Sequence, residues 1–89
     1  MEDLGTEITK VRHTTHGDFE LNAMISQGIK SFIYSTNQDM PAVHKEALDM
    51  IALKISRICS GQSMHDDHWI DIIGYATLAL SYVHKENKA

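Results

Sequence analysis

Two groups of acidic residues and imidazoles are the part of the sequence best suited to chemistry. Residues 65–71 hold three carboxylates and two imidazoles, and they lead directly into an apolar segment. Such groups need one another, a cation or water when they are partly desolvated. Upstream, Glu46 and Asp49 form a second acidic pair whose i, i+3 spacing places both on one side of a helix. Two polar pairs on consecutive helices are what a divalent-cation site in a helical bundle requires.

Five residues are therefore candidate metal ligands: Glu46, Asp49, Asp67, His68 and Asp71. Glu46, Asp49 and Asp71 supply the hard oxygen ligands that Mg²⁺ prefers, and they are also the candidate catalytic residues. His68 is a softer ligand, better matched to Mn or Zn, and Asp67 is the alternative carboxylate one residue out of register. The competing interpretation is a solvated acidic face, with Asp67 placed beside the positive N-terminus of a helix.

Basic and aromatic residues near these acids are candidate ligand-binding residues. Lys54 and Arg57 are also spaced i, i+3, and one of them would neutralise a phosphate next to the acidic residues. The alternative is that both pair with nearby acids or stay solvated. Arg12 and His16 lie in a segment that could cover a base or a ribose, and Trp69 lies beside the second polar pair.

Hydrophobic periodicity predicts a single all-α domain over residues 1–89. The three main helices are expected over about 19–34, 41–59 and 66–85, with residues 1–17 forming an arm or a short helix. Asp18 is a suitable N-cap for the first helix, and a glycine at position 61 suits the end of the second. No β-type alternation is long enough to compete with this interpretation.

The length of the chain favours a homo-oligomer. A protein of 89 residues buries only roughly 60–65% of its unfolded surface, so a lone monomer would be marginally stable. The third helix is apolar over more than half of its circumference, which is typical of a helix buried on more than one side. In a chain with three helices, another copy of the same chain most easily covers the second side.

Composition excludes several classes of protein. The net charge is −4 and the basic residues are scattered, so binding to a nucleic-acid polymer is not expected. No apolar run is long enough to span a bilayer and the start of the chain lacks signal-peptide features, so a cytoplasmic protein is expected. The single cysteine, Cys59, is expected to be a small buried hydrophobic residue, and a structural zinc site is not expected.

Taken together, these patterns resemble a known family. The chain has Glu46-x-x-Asp49, eighteen intervening residues and then His68-x-x-Asp71 leading into an apolar helix. This arrangement resembles the MazG-like all-α nucleotide pyrophosphohydrolases, which carry Glu-x-x-Glu and Glu-x-x-Asp at similar separation. Three further segments resemble a short, phage-encoded branch of that superfamily: Arg-x-x-x-His-Gly-Asp-Phe at 12–19, Lys-Ile-Ser-Arg-Ile at 54–58 and Asp-His-Trp-x-Asp-Ile-x-Gly-Tyr-Ala at 67–76.

The resemblance implies an oligomeric helical bundle that binds Mg²⁺ or Mn²⁺ and cleaves nucleoside triphosphates to monophosphate and pyrophosphate. Asp49 and His68 stand where that superfamily has glutamate, and His68 removes a carboxylate ligand. One hypothesis is therefore a phage nucleotide-binding enzyme in the host cytoplasm. The alternatives are a sponge without catalysis, which sequesters a nucleotide-derived signal of host defence, and a structural helical oligomer without a ligand.

Overall fold

Three α-helices make up most of the structure, which is a computed structural model describing residues 18–36 and 39–88. Helix α1 spans Phe19–Ser35, α2 spans Ala42–Arg57 and α3 spans Asp66–Asn87. A π-helical turn, Ile58–Gln62, extends the end of α2, and it is kinked because Ser60 and Gly61 have non-helical φ and ψ angles. The predicted all-α fold and its three helices are confirmed, with boundaries within a few residues of those expected. The N-terminal arm lies outside the described residues.

Local sequence signals account for where the helices begin and end. The Asp18 side chain accepts hydrogen bonds from the backbone N–H groups of Glu20 and Leu21, which caps the start of α1. Pro41 precedes α2, where its missing N–H is tolerated. The chain leaves the π-helical turn through Gly61, whose φ of 114° is a conformation that favours glycine.

Helix α2 is central and packs against both neighbours in antiparallel fashion. Asn22 near the start of α1 contacts Ser56 near the end of α2. The Nε2 atom of His44, near the start of α2, lies 3.1 Å from the carbonyl oxygen of Ala79, late in α3. The ring of His44 also meets the ring of Tyr82 edge to face, with 5.4 Å between the centroids. The extensive helix contacts of the described chain therefore lie between α1 and α2 and between α2 and α3.

Small and polar side chains, rather than large apolar ones, fill the described interior. Ala47 and Ala52 are the buried hydrophobic residues, and the buried polar residues are Asn22, Ser26, Ser56 and His68. Ser56 is completely buried and donates to the Asn22 side chain. The contact between Ser56 and Asn22 therefore joins α1 to α2 through small and polar side chains.

Two expectations concern burial, and one of them was wrong. Cys59 was expected to be buried but is exposed, because it lies on the π-helical turn after α2 rather than on its packed face. The second side of α3 was expected to be covered by another copy, and in the single chain it exposes Trp69, Ile73 and Leu80. None of the helices over residues 18–36 and 39–88 combines the length and hydropathy needed to cross a bilayer.

Candidate functional site between α2 and α3

Four of the predicted site residues come together where α2 and α3 face each other. We call Lys54, Arg57, His68 and Asp71 the polar centre. Lys54 and Asp71 form an ion pair across the two helices, with 2.8 Å between Nζ and Oδ2. Antiparallel packing explains the meeting, because it places the end of α2 beside the start of α3.

His68 and Arg57 bury polar atoms that have no hydrogen-bond partner in the described structure. His68 is only 4% exposed, and neither of its ring nitrogens has a partner. The Nε atom of Arg57 is likewise buried and has no hydrogen-bond partner among the described residues. Buried polar atoms in folded proteins are nearly always hydrogen-bonded, so such a group points to water or a ligand.

The charges of the polar centre are set by its neighbours. Burial is the largest cause that lowers the pKa of His68, and the positive charges of His65, Lys54 and Arg57 lower it further. Asp71 opposes that shift, while the hydrogen bond from Lys54 lowers the pKa of Asp71 itself. At neutral pH the centre therefore holds a neutral imidazole, an ionised carboxylate and two cations. The two positive charges outnumber the one negative charge, so an anion is favoured as the missing partner.

The acidic pair of α2 lies on the side of α1 instead. The Tyr34 hydroxyl donates to the Asp49 carboxylate at 2.6 Å. That hydrogen bond is the main cause that raises the pKa of Tyr34, and burial and the charges of Asp49 and Glu46 add to it. Because both carboxylates act on one phenol, they form an acidic edge near the C-terminal end of α1. Glu46 itself is exposed.

The five candidate metal ligands do not assemble into one site within the single chain. Among the described residues, no group of three or more His, Cys, Asp or Glu side chains is placed to hold a metal ion. Asp49 is engaged by Tyr34 and Asp71 by Lys54, while Asp67 is exposed with its Oδ2 atom 3.7 Å from His65 Nε2. The donor set of the described residues in a single chain therefore does not fit a resident metal ion.

The remaining candidate ligand-binding residues have separate locations. Trp69 is half exposed, and its indole Nε1 donates to the carbonyl oxygen of Ser63 at 2.9 Å. This bond fixes the ring beside the start of α3. Arg12 and His16 lie outside the described residues.

Sequence reasoning missed several polar residues that shape the site. Tyr34 holds Asp49, Ser56 contacts Asn22 in the α1–α2 interface, and His44 contacts α3. Small residues spaced by four, Ala52 and Ser56, were a usable signal for close helix packing. The tyrosine had no such signal, because nothing in its local sequence indicates a partner fifteen positions away.

Fold and site together define a small all-α protein with a cationic polar centre between two antiparallel helices. A comparison with protein families matches residues 1–82 to DUF6378, a domain of unknown function. The chain belongs to that family. No curated protein and no solved structure gives a significant match to the chain.

Proposed function

We propose that this protein binds a nucleotide or a nucleotide-derived signal, and that the polar centre holds its phosphate. The observation that carries the proposal is the set of buried, unpartnered nitrogens on His68 and Arg57 beside Lys54. Phosphate oxygens accept hydrogen bonds from guanidinium and ammonium groups, and such charge-assisted bonds are among the strongest in proteins. A neutral imidazole donates one further hydrogen bond.

The interior location favours a compact, strongly charged ligand group. Lys54 has a side chain that is 12% exposed, so a phosphate reaching it leaves most of its water behind. A desolvated phosphate needs several donors at once, and Lys54, Arg57 and His68 provide them from two helices. Asp71 restrains Lys54 until the ligand competes for the ammonium. The resemblance of the sequence to MazG-like proteins also supports a nucleotide as the source of the phosphate.

A second candidate function is Mg²⁺- or Mn²⁺-dependent pyrophosphohydrolysis. The acidic edge formed by Glu46 and Asp49 favours it, because two carboxylates that act on the same phenol provide an attractive place for a cation brought in with a nucleotide. In that case the protein hydrolyses the nucleotide that it binds. In the sponge alternative it keeps the ligand intact and removes a host defence signal in the cytoplasm of a phage-infected cell. The third alternative, a structural oligomer, needs no ligand.

The test is a binding and turnover experiment with a panel of linear and cyclic nucleotides. Binding is measured by isothermal titration calorimetry in EDTA, in Mg²⁺ and in Mn²⁺, and the ligand is then recovered and analysed by chromatography. Arg57→Gln is expected to raise the Kd about 10- to 100-fold, which corresponds to loss of a charged hydrogen bond. Lys85→Gln is the matched control, because Lys85 lies exposed in the last turn of α3.

Each result separates the candidates. Recovery of intact ligand after binding in EDTA supports sequestration. Metal-dependent release of pyrophosphate, lost in Glu46→Ala and Asp71→Ala with helicity retained, supports the enzyme. Absence of binding to every phosphate compound in all three conditions overturns the proposal and leaves the structural alternative.

A further inference from the structure

Helix α3 carries an apolar stripe that the described chain does not cover. The stripe consists of Trp69, Ile73, Ala76, Leu80 and Val83, which follow one another at intervals of four, three, four and three residues. All five are exposed; Ile73, for example, is 66% exposed. Alternating intervals of three and four are the spacing of the apolar seam in a helix–helix pair.

The stripe is distinct from the face of α3 that packs on α2. That packed face carries His68, Asp71, Ala79 and Tyr82, which contact or act on α2 residues. With 3.6 residues per turn, the centre of the stripe lies about 120° around the helix from the centre of the packed face. Helix α1 contacts α2 rather than α3, so the described helices leave the stripe open.

We propose that the stripe binds the same stripe of a second copy of this chain, with the two α3 helices antiparallel. Charge argues for this partner and this direction. Beside the stripe, the acidic Asp66 of the first turn of α3 and the basic His84 of the last turn each lie about 60° around the helix from its centre. In an antiparallel pair each acidic end meets the basic end of the partner helix, whereas a parallel pair would place like charges together.

The size of the surface also suits a dimer. The stripe from Trp69 to Val83 covers 15 of the 22 residues of α3, which makes it about 22 Å long. A stripe of this length on two copies buries on the order of 1,000 Å², the lower limit for a specific interface. Ala76 at its middle lets the two backbones approach. The described monomer buries only Ala47 and Ala52 among its hydrophobic residues, so a second copy supplies apolar burial that one chain lacks.

The association test uses the full chain in sedimentation equilibrium across a range of concentrations. The wild-type chain is expected to be a dimer. Ile73→Glu places a carboxylate in the stripe of both copies and is expected to raise the dimer Kd at least about 30-fold. Leu78→Glu is the matched control: Leu78 lies in the same helix, is 61% exposed and is outside the stripe, so its Kd should change little.

The direction of the helices is tested by reversing charges. Asp66→Lys alone removes the attraction between the two ends, and His84→Glu alone places carboxylates opposite each other at both ends of an antiparallel pair, so each is expected to weaken the dimer. The double variant is expected to restore the wild-type Kd. A parallel dimer would gain no restoration from the double variant, which would overturn the proposed direction.

Two further outcomes would overturn the interface itself. One is a chain that stays monomeric at every concentration, in which case the stripe serves a different partner. The other is an Ile73→Glu chain that dimerises like the wild type. Circular dichroism checks that each variant keeps its helices. Leu80→Glu provides a second disruption at a residue that is also exposed in the monomer.

Discussion

Lys54 on α2 and Asp71 on α3 form an ion pair of 2.8 Å that joins two residues which the sequence assigned to different roles. Lys54 was a candidate phosphate ligand and Asp71 a candidate metal ligand and catalytic residue. Their pairing means that a cation at Asp71 must compete with the ammonium group, while an anion at Lys54 must compete with the carboxylate. Substitution of Asp71 therefore separates the two chemistries.

Asp71→Asn is expected to tighten metal-free binding of a nucleotide by several-fold. The change removes the negative charge nearest Lys54 and keeps the shape of the side chain, so the cation is released toward the phosphate. Calorimetry in EDTA provides the measurement. Asp67→Asn is the control, because that carboxylate is exposed and contacts His65 rather than a cation on α2. Weaker binding in EDTA would contradict this prediction, whereas weaker binding only in the presence of Mg²⁺ or Mn²⁺ would favour the metal-dependent alternative.

Ser56→Ala is expected to destabilise the fold by about 1–2 kcal/mol. The hydroxyl is fully buried; it contacts the Asn22 side chain, which joins α1 to α2, and the Leu53 carbonyl oxygen within α2. Urea denaturation gives the change in the free energy of unfolding. Ser81→Ala, at an exposed position of α3, should leave stability almost unchanged. Equal effects from the two substitutions would contradict a structural role for the buried hydroxyl.

Acidification from pH 7 to pH 5 is expected to destabilise the wild-type chain in part through His68. Its folded pKa lies below the ordinary 6.5, so the unfolded chain takes up the proton first as the pH falls. Stability is therefore lost below about pH 6.5 until the pH reaches the folded pKa. Urea denaturation at several pH values measures the slope.

His68→Gln should flatten that slope, because glutamine does not titrate. Ser81→Ala is the control, because it changes an exposed residue of α3 without removing a titratable group and should leave the slope unchanged. An unchanged slope in His68→Gln would mean that other groups cause the acid sensitivity. Four neighbouring groups affect the pKa of His68 through their charges: His65, Lys54 and Arg57 lower it, and Asp71 raises it.

Alkaline pH is expected to weaken the contact between Tyr34 and Asp49. The folded pKa of Tyr34 is raised, so its stabilising effect is complete below pH 10 and is lost as the pH rises through the folded value. Tyr34→Phe should therefore lower the denaturation midpoint at pH 7 and reduce the further loss above pH 10. Tyr75→Phe is a useful comparison, since it removes a hydroxyl from the same chain. If Tyr34→Phe had the same midpoint at pH 7 and the same loss of stability above pH 10 as the wild type, the result would argue against the hydrogen bond.

Two glycine substitutions are expected to have opposite effects. Gly61→Ala should cost about 1–2 kcal/mol, because φ of 114° is strained for a residue with a side chain. Gly74→Ala should stabilise the protein by about 0.5–1 kcal/mol, since it lies within α3 with no atom within 4 Å of the new methyl group. Thermal unfolding compares the two variants directly. A stabilising Gly61→Ala would show that the turn adopts another conformation.

Much of the secondary structure could be read from the sequence, because its signals are local. The apolar period of the helices, the Asp18 cap and the glycine that ends the turn after α2 all act within a few residues. The residues of the polar centre were also recognised, since lysine, arginine, histidine and aspartate are conspicuous near an apolar seam.

Only the tertiary structure decided which of those residues lie between α1 and α2 and which lie between α2 and α3. Asp49 faces Tyr34 on α1, whereas Asp71 faces Lys54 across α2 and α3, so the two acidic pairs do not meet in one chain. Helical periodicity places residues on faces but does not state which neighbour each face receives, and that depends on packing between distant segments. For the same reason the sequence showed that α3 is apolar, while only packing revealed that its stripe from Trp69 to Val83 stays open.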